Sequence, residues 1–239
     1  MTYHATPIKH HLSTERFNLL ASYRNPVACL TAHLMLECSE VLAGAKPANL
    51  ISLVNRTRPC GRNLYQLWQE HHLQIATRIP QLEFQLLQTK ERALLLLCFN
   101  RQHLSQHLAH AGIRALLSKA GYASDASTDQ LLQLLVYRIE SSSGFPHEIG
   151  LFIGYPAKDV AAFMGLVNLP FTCQGPWKIF GNPTRSLDLA DQFRSCRMRM
   201  NALLATGDHL ILQLQSPSHP FFSPNTDKDS QMLIHGGAA

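Results

Sequence analysis

Charge is scarce in this sequence: Asp, Glu, Lys and Arg make up 15% of its 239 residues. A globular protein usually carries about a quarter. The missing charge leaves Gln, Ser, Thr, Asn and His to cover the surface, which predicts a folded protein of modest solubility. The basic excess is also small, 21 Lys and Arg against 16 Asp and Glu. Nucleic-acid modules present a stripe of Lys and Arg with aromatics between them. Here the densest basic stretch is Arg194, Arg197 and Arg199, with Arg185 upstream and Lys178 as a candidate neighbour. It reads more simply as the solvated face of a helix, so no nucleic-acid partner is expected.

Long apolar runs are missing too. A membrane helix needs about 18 apolar residues, and the longest block, Ala93 to Phe99, has the length of a strand. No membrane span is expected. Residues 1–12 are polar and His-rich without an apolar core, so no secretory leader is read there. The cysteines Cys29, Cys38, Cys60, Cys98, Cys173 and Cys196 form no Cys-x-x-Cys pair. Reduced thiols in a cytoplasmic protein are therefore expected, not a disulfide framework. Dinucleotide and phosphate-loop glycine patterns are absent, as is a Gly-x-Ser-x-Gly elbow. No nucleophile and no cofactor is identified by motif, and nothing fixes an oligomeric state.

What remains is Leu, Gln and Ala at regular spacings. A short amphipathic segment runs from Ser13 to about Ser22. Pro26 opens a helix over Val27 to Leu42, ended by Gly44 in a left-handed position. Ala48 to Val54 is a buried strand, and Leu64 to Ala76 a helix. Leu82 to Gln88 and Ala93 to Phe99 are strands joined through the four residues Thr89 to Arg92. Helices follow at 101–110, 112–120 and 128–140. Phe145 to Ile153 and Ala157 to Val167 read as two short helices, Trp177 to Phe180 as a strand, and Thr184 to Leu204 as a long helix. Residues 208–214 can add an edge strand. This order predicts an α/β protein, an α+β two-layer sandwich with a small mixed sheet of about four strands and many helices. Residues 1–215 read as a single α/β domain and 216–239 as a poorly ordered C-terminal tail.

Two stretches crowd stiff and reactive residue types together: Phe145 to Pro156 and Pro176 to Gly181. Pro146 with Glu148 close behind suits a helix start. His147 is left over, and a neutral imidazole beside a carboxylate serves either as a metal ligand or as a general base. His147 and Glu148 are thus the candidate catalytic pair. Gly150 and Gly154 suit close helix packing and a tight turn. Tyr155, pushed to extended geometry by Pro156, swings its ring out of the helix. Lys46 lies in a helix-to-strand loop stiffened by Pro47, placed to meet an anion or simply exposed. Trp177 and Lys178 point to opposite faces of a strand. His103, His107 and His110 share one helix face; without an intervening Glu they read as a polar face before a zinc site.

Three blocks resemble a bacterial family known as domain of unknown function 3793. The first is Cys38 to Leu50, which follows the pattern Cys, then Leu-Ala-Gly-x-Lys-x-Ala-Asn-Leu. The second is Phe145 to Pro156 with Asp159, Val160 and Phe163. The third is Cys173, Gly175 to Gly181, Phe193, Cys196 and Arg197. The resemblance spans roughly residues 30–200 and marks out Cys38, Lys46, Asn49, His147, Glu148, Cys173, Trp177, Lys178 and Cys196. Many relatives carry a second cysteine after the one matching Cys173; here Gln174 follows. The family's lineage implies a link to anaerobic iron or redox metabolism, with a metal, haem-like or flavin-like ligand.

The resulting expectation is a cytosolic protein that binds a small ligand or cofactor. Lys46, Asn49, His147, Tyr155, Trp177 and Lys178 would line its pocket. Two alternatives stay open. One is an enzyme using His147 and Glu148, or a metal site drawn from Cys38, His147, Cys173 and Cys196. The other is a scaffold without small-molecule chemistry.

Overall fold

The computed structural model describes residues 22–141, 144–206 and Phe221. The segment from Ser13, the edge strand at 208–214 and the tail from 216, apart from Ser22 and Phe221, lie outside the described residues. The first helix, α1 (Pro26–Glu37), begins where expected. Asn25 Oδ1 accepts from the N–H groups of Val27 (2.8 Å) and Ala28 (3.1 Å), and Pro26 follows, where a missing donor costs nothing.

The single helix expected over 27–42 is two, α1 and α2 (Ser39–Leu42). They break at Cys38, which leaves helical geometry at φ −102° and ψ 16°. At the break, the Asn49 side-chain amide donates to the Glu37 carbonyl. Gly44 takes φ +73°, the left-handed stop that the sequence predicts.

Three strands, β1 (Ala48–Val54), β2 (Glu83–Lys90) and β3 (Ala93–Phe99), form an antiparallel sheet in the order β1-β3-β2. Lys90 pairs with Ala93, so the hairpin closes through Glu91 and Arg92, a tighter turn than expected. Strand β3 is apolar on both faces, and that decides the layering. Leu94, Leu96 and Cys98 meet α1 and α3 (Leu64–Arg78) through Leu30, Leu34, Leu64 and Ile75. Leu97 and Phe99 meet the helices on the other side. These are α4 (Arg101–Ala109), α5 (Ala111–Lys119), α6 (Thr128–Ser141), α7 (Ile149–Phe152) and α8 (Ala157–Phe163).

The α+β class holds. The sheet is covered on both faces, where two layers were expected, because no face of β3 is polar enough to meet water. The expected mixed sheet resolves into this antiparallel sheet and a separate hairpin of β4 (Phe171–Gln174) and β5 (Lys178–Phe180). β4 is four largely exposed residues, too short for its alternation to stand out in the sequence. α8 stops short of Val167, with Gly165 turning the chain at φ +73°.

The last described helix, α9 (Thr184–Leu204), lies against α1 and α2. Met200 and Leu204 enter the α1–α3 core, and the Tyr23 hydroxyl donates to the Leu204 carbonyl at 2.8 Å. The one described residue of the tail, Phe221, is buried in that core, with the Arg199 guanidinium 5.4 Å from its ring centre.

Gly154, between α7 and α8, brings two distant loops together. Its φ is +77°, and an added Cβ would stand 2.5 Å from Pro47 Cδ. Gly154→Ala therefore meets both an unfavourable backbone conformation and a clash. It should destabilise the fold by about 2 kcal/mol or more in denaturant unfolding; a change within experimental error would refute this close approach.

Candidate functional site

The Gly44–Pro47 loop, the α7–α8 turn, the β4–β5 hairpin and α9 meet in one small core. Trp177, Ile179, Ala190 and Phe193 fill it, with Ala45, Tyr155 and Cys173 packed alongside. Lys46 lies at its edge and is only 6% exposed. Its Nζ donates to Asn49 Oδ1 at 2.8 Å and sits 5.3 Å from the Tyr155 ring centre and 5.2 Å from that of Phe193. Tyr155 in turn stacks on Trp177, centroid to centroid 4.6 Å at 28°. Four expected ligand residues, Lys46, Asn49, Tyr155 and Trp177, are thus linked in one chain of contacts.

Glu40 and Arg197 complete the surroundings. They form an ion pair at 2.8 Å, and Ser39 Oγ donates to Glu40 at 3.3 Å. Burial pushes Lys46 down to about 8, with Glu40 and Cys38 opposing that shift and Arg197 adding to it. Burial likewise raises the Tyr155 hydroxyl, and the Glu40 charge adds to this. Burial, a hydrogen bond with Cys98 and its charge raise the Cys38 thiol well above its ordinary value. Burial therefore works against the charged forms of all three groups, although a lysine at about 8 is still mainly protonated at neutral pH.

Asp159 holds the hairpin in place. Its Oδ1 accepts from Lys158 Nζ (2.7 Å) and the Phe180 N–H (2.9 Å), and its Oδ2 from Trp177 Nε1 (2.9 Å) and Ser186 Oγ (2.7 Å). Burial alone would raise its carboxyl; those four donors outweigh burial and hold it below the ordinary carboxylate value.

The other expected residues fall elsewhere. Pro146 does not open a helix: α7 starts at Ile149, after a turn in which the Ile149 N–H donates to the Pro146 carbonyl at 3.3 Å. His147 and Glu148 part company. Glu148 turns inward, taking Arg138 Nε at 3.0 Å and the Tyr122 hydroxyl at 3.2 Å, while His147 is exposed, edge-on to Phe163 at 4.7 Å. Lys178 Nζ also lies over that ring, 5.3 Å from the Phe163 ring centre. His147 and Lys178 thus both contact Phe163, a grouping separate from the Lys46 contacts.

Among the described residues, no three His, Cys, Asp or Glu side chains gather to hold a metal. Cys38 faces Cys98, Cys173 packs on β4 in the small core, and Cys196 lies buried on α9, accepting from Arg199 at 3.6 Å. Two members of the histidine row bond the backbone through their rings. His107 Nε2 donates to the Leu151 carbonyl at 2.8 Å, and His110 Nδ1 accepts from the Gly112 N–H at the start of α5. The basic stretch also divides: Arg194 pairs with Asp191 at 2.7 Å, Arg197 with Glu40, and Arg199 covers Phe221.

Glu40, Arg197 and Phe193 are site residues that sequence reasoning did not assign to the pocket. All three sit inside the recognised blocks, and that membership is the signal the sequence offered.

Fold and site together define an α+β protein whose distinguishing feature is a lysine enclosed by aromatic rings. The chain belongs to the family described as "Protein of unknown function (DUF3793)", whose family model matches residues 34–213. No curated protein matches it. No solved structure matches it either. Among the described residues, no helix is long and apolar enough to cross a membrane.

Two measurements test this geometry. Asp159→Ala leaves Trp177 Nε1 and Ser186 Oγ buried without an acceptor, and should cost about 3 kcal/mol or more in denaturant unfolding. The second concerns pH. A lysine at about 8 in the fold and 10.5 in the unfolded chain binds fewer protons when folded across that window. Its contribution to stability therefore rises with pH between those values and is lowest, and flat, below them. The stability of the natural protein minus that of Lys46→Met should rise by about 2 kcal/mol from pH 8 to pH 10. A difference independent of pH would show that Lys46 is solvated.

Proposed function

We propose that this is a cytoplasmic binding protein for a small anionic ligand with a planar or apolar body, seated against Lys46, Tyr155 and Trp177. The observation that carries this reading is the environment of the Lys46 Nζ. An ammonium has three donors, and here one neutral acceptor, Asn49 Oδ1, and two ring faces surround it. The nearby carboxylate, Glu40, is engaged by Arg197 and Ser39. A ligand oxygen bearing negative charge would supply the missing acceptor and counter-charge together. The stacked Tyr155–Trp177 pair gives a flat apolar wall beside it. Free thiols throughout the described residues support a reducing compartment.

The test is a thermal-shift series with small carboxylates and phosphates, run on the natural protein and on Lys46→Met. Ligand at about 100 times its dissociation constant adds roughly 2.7 kcal/mol to stability. The natural protein should shift with at least one ligand class, and the variant should lose that shift while melting cooperatively. Equal shifts in both proteins, or none in either, would move the protein to the scaffold reading.

A further inference from the structure

A buried amine does different chemistry from an exposed one, and Lys46 differs from every other lysine among the described residues. Lys90, Lys119 and Lys178 are exposed, and Lys158 is tied to Asp159 at 2.7 Å. Lys46 alone is enclosed, 6% exposed, with no carboxylate in ion-pair contact among the described residues. Resting on the binding reading above, we propose that Lys46 Nζ forms an imine with a ligand that carries an aldehyde or ketone next to its anionic group.

The surroundings support each requirement of that step. Burial from water disfavours the charged ammonium, against the attraction of the Tyr155 and Phe193 ring faces, and so leaves a share of Nζ with its lone pair free to attack. Asn49 Oδ1 accepts one N–H at 2.8 Å, which fixes the direction of the nitrogen. Asn49 is itself held, since its amide donates to the Glu37 carbonyl and its position in β1 is paired with Cys98 of β3. The charged and titratable groups around Nζ are Glu40 from α2, Arg197 from α9, Cys38 at the α1–α2 break and Tyr155 from the α7–α8 turn. Arg197, in its ion pair with Glu40, offsets part of the pull of Glu40 towards a protonated Lys46. The lowering of Lys46 to about 8 agrees with this, because an appreciable share of the amine is then unprotonated near neutral pH.

The step balances without a redox partner. The nitrogen lone pair attacks the carbonyl carbon, and the C=O π electrons move to oxygen, which takes up a proton. Loss of water from the resulting carbinolamine forms the C=N bond. The two hydrogens of the amine leave in that water, and no electron is gained or lost. The anionic group of the ligand meets what remains of the positive field from Arg197 and from any protonated imine nitrogen.

The experiment uses the full chain with pyruvate and glyoxylate as probes, and lactate and glycolate as partners that differ only in having a hydroxyl in place of the carbonyl. Samples are treated with borohydride, which delivers hydride to the imine carbon and leaves a stable secondary amine. Peptide mapping by mass spectrometry then locates the adducts. With a carbonyl probe, Lys46 should gain the mass of the oxo acid less one oxygen at several times the yield of any other lysine. That yield should increase from pH 6 to pH 8, and lactate and glycolate should give none. Mapping the natural protein keeps the test valid even if Lys46→Arg fails to fold; a folded Lys46→Arg should lose this one adduct and keep the background. Adducts spread evenly over surface lysines, or absent at Lys46, overturn the imine. The two readings separate cleanly. Equal melting shifts with pyruvate and lactate, with no adduct at Lys46, leave the binding site standing and remove only the covalent step. No shift together with no adduct removes both.

Discussion

The Asp159 carboxylate is the contact on which the arrangement of the site depends. A carboxylate withdrawn from water is costly unless its oxygens are fully engaged. Here four donors from three elements converge on it: Lys158 from α8, Trp177 and Phe180 from the hairpin, and Ser186 from α9. The hairpin is too short to be stable by itself, so those hydrogen bonds and the small core beneath them hold it. They also fix the plane of the Trp177 indole. That plane sets the stacked position of Tyr155, and Tyr155 is one of the two rings that enclose Lys46.

The floor of the site is rigid for a different reason. Lys46 leads directly into β1, and Asn49 stands opposite Cys98 of β3, the strand buried on both faces. The same Asn49 accepts from Lys46 and donates to the Glu37 carbonyl where α1 gives way to α2. One amide therefore ties the loop to the broken helix while using both of its polar ends. Desolvating a lysine works against stability, and a fold tolerates that where the surrounding elements over-determine the position. A well-paired core strand on one side and an anchored hairpin on the other meet that condition.

The periodic elements were legible in the sequence. Residues 48–54, 93–99 and 184–204 form elements with the expected bounds, because their apolar residues are continuous or recur at helical spacing. Elements set by a single tertiary contact were not legible. The helix break at Cys38 has no Gly or Pro to announce it, and the alternation of β4 is only four residues long, too short to mark a strand. Pro146 and Glu148 matched the pattern of a helix start, yet Arg138, 10 positions earlier in the chain, draws Glu148 inward and leaves a turn in its place. The site divides the same way. Lys46, Asn49, Tyr155 and Trp177 stood out by residue type and do meet. Residue type could not show that His147 turns to solvent beside Phe163, or that Lys178 lies over that ring on the outward face of its strand. Glu40 and Arg197, 157 positions apart, are joined only by the packing of α9 on α2.

Gly154 shows how such distant parts become one site. Its left-handed backbone and missing side chain let the α7–α8 turn press on Pro47, with Lys46 Cγ 3.7 Å from where a Cβ would stand. Tyr155 follows directly, so the residue that permits the approach also aims the ring that covers the amine. A side chain at 154 would meet the Pro47 ring and press the α7–α8 turn, and Tyr155 with it, away from the loop. The enclosure of Lys46 therefore rests on the close approach of the Gly154 backbone to the Pro47 ring as much as on the polar groups of the site.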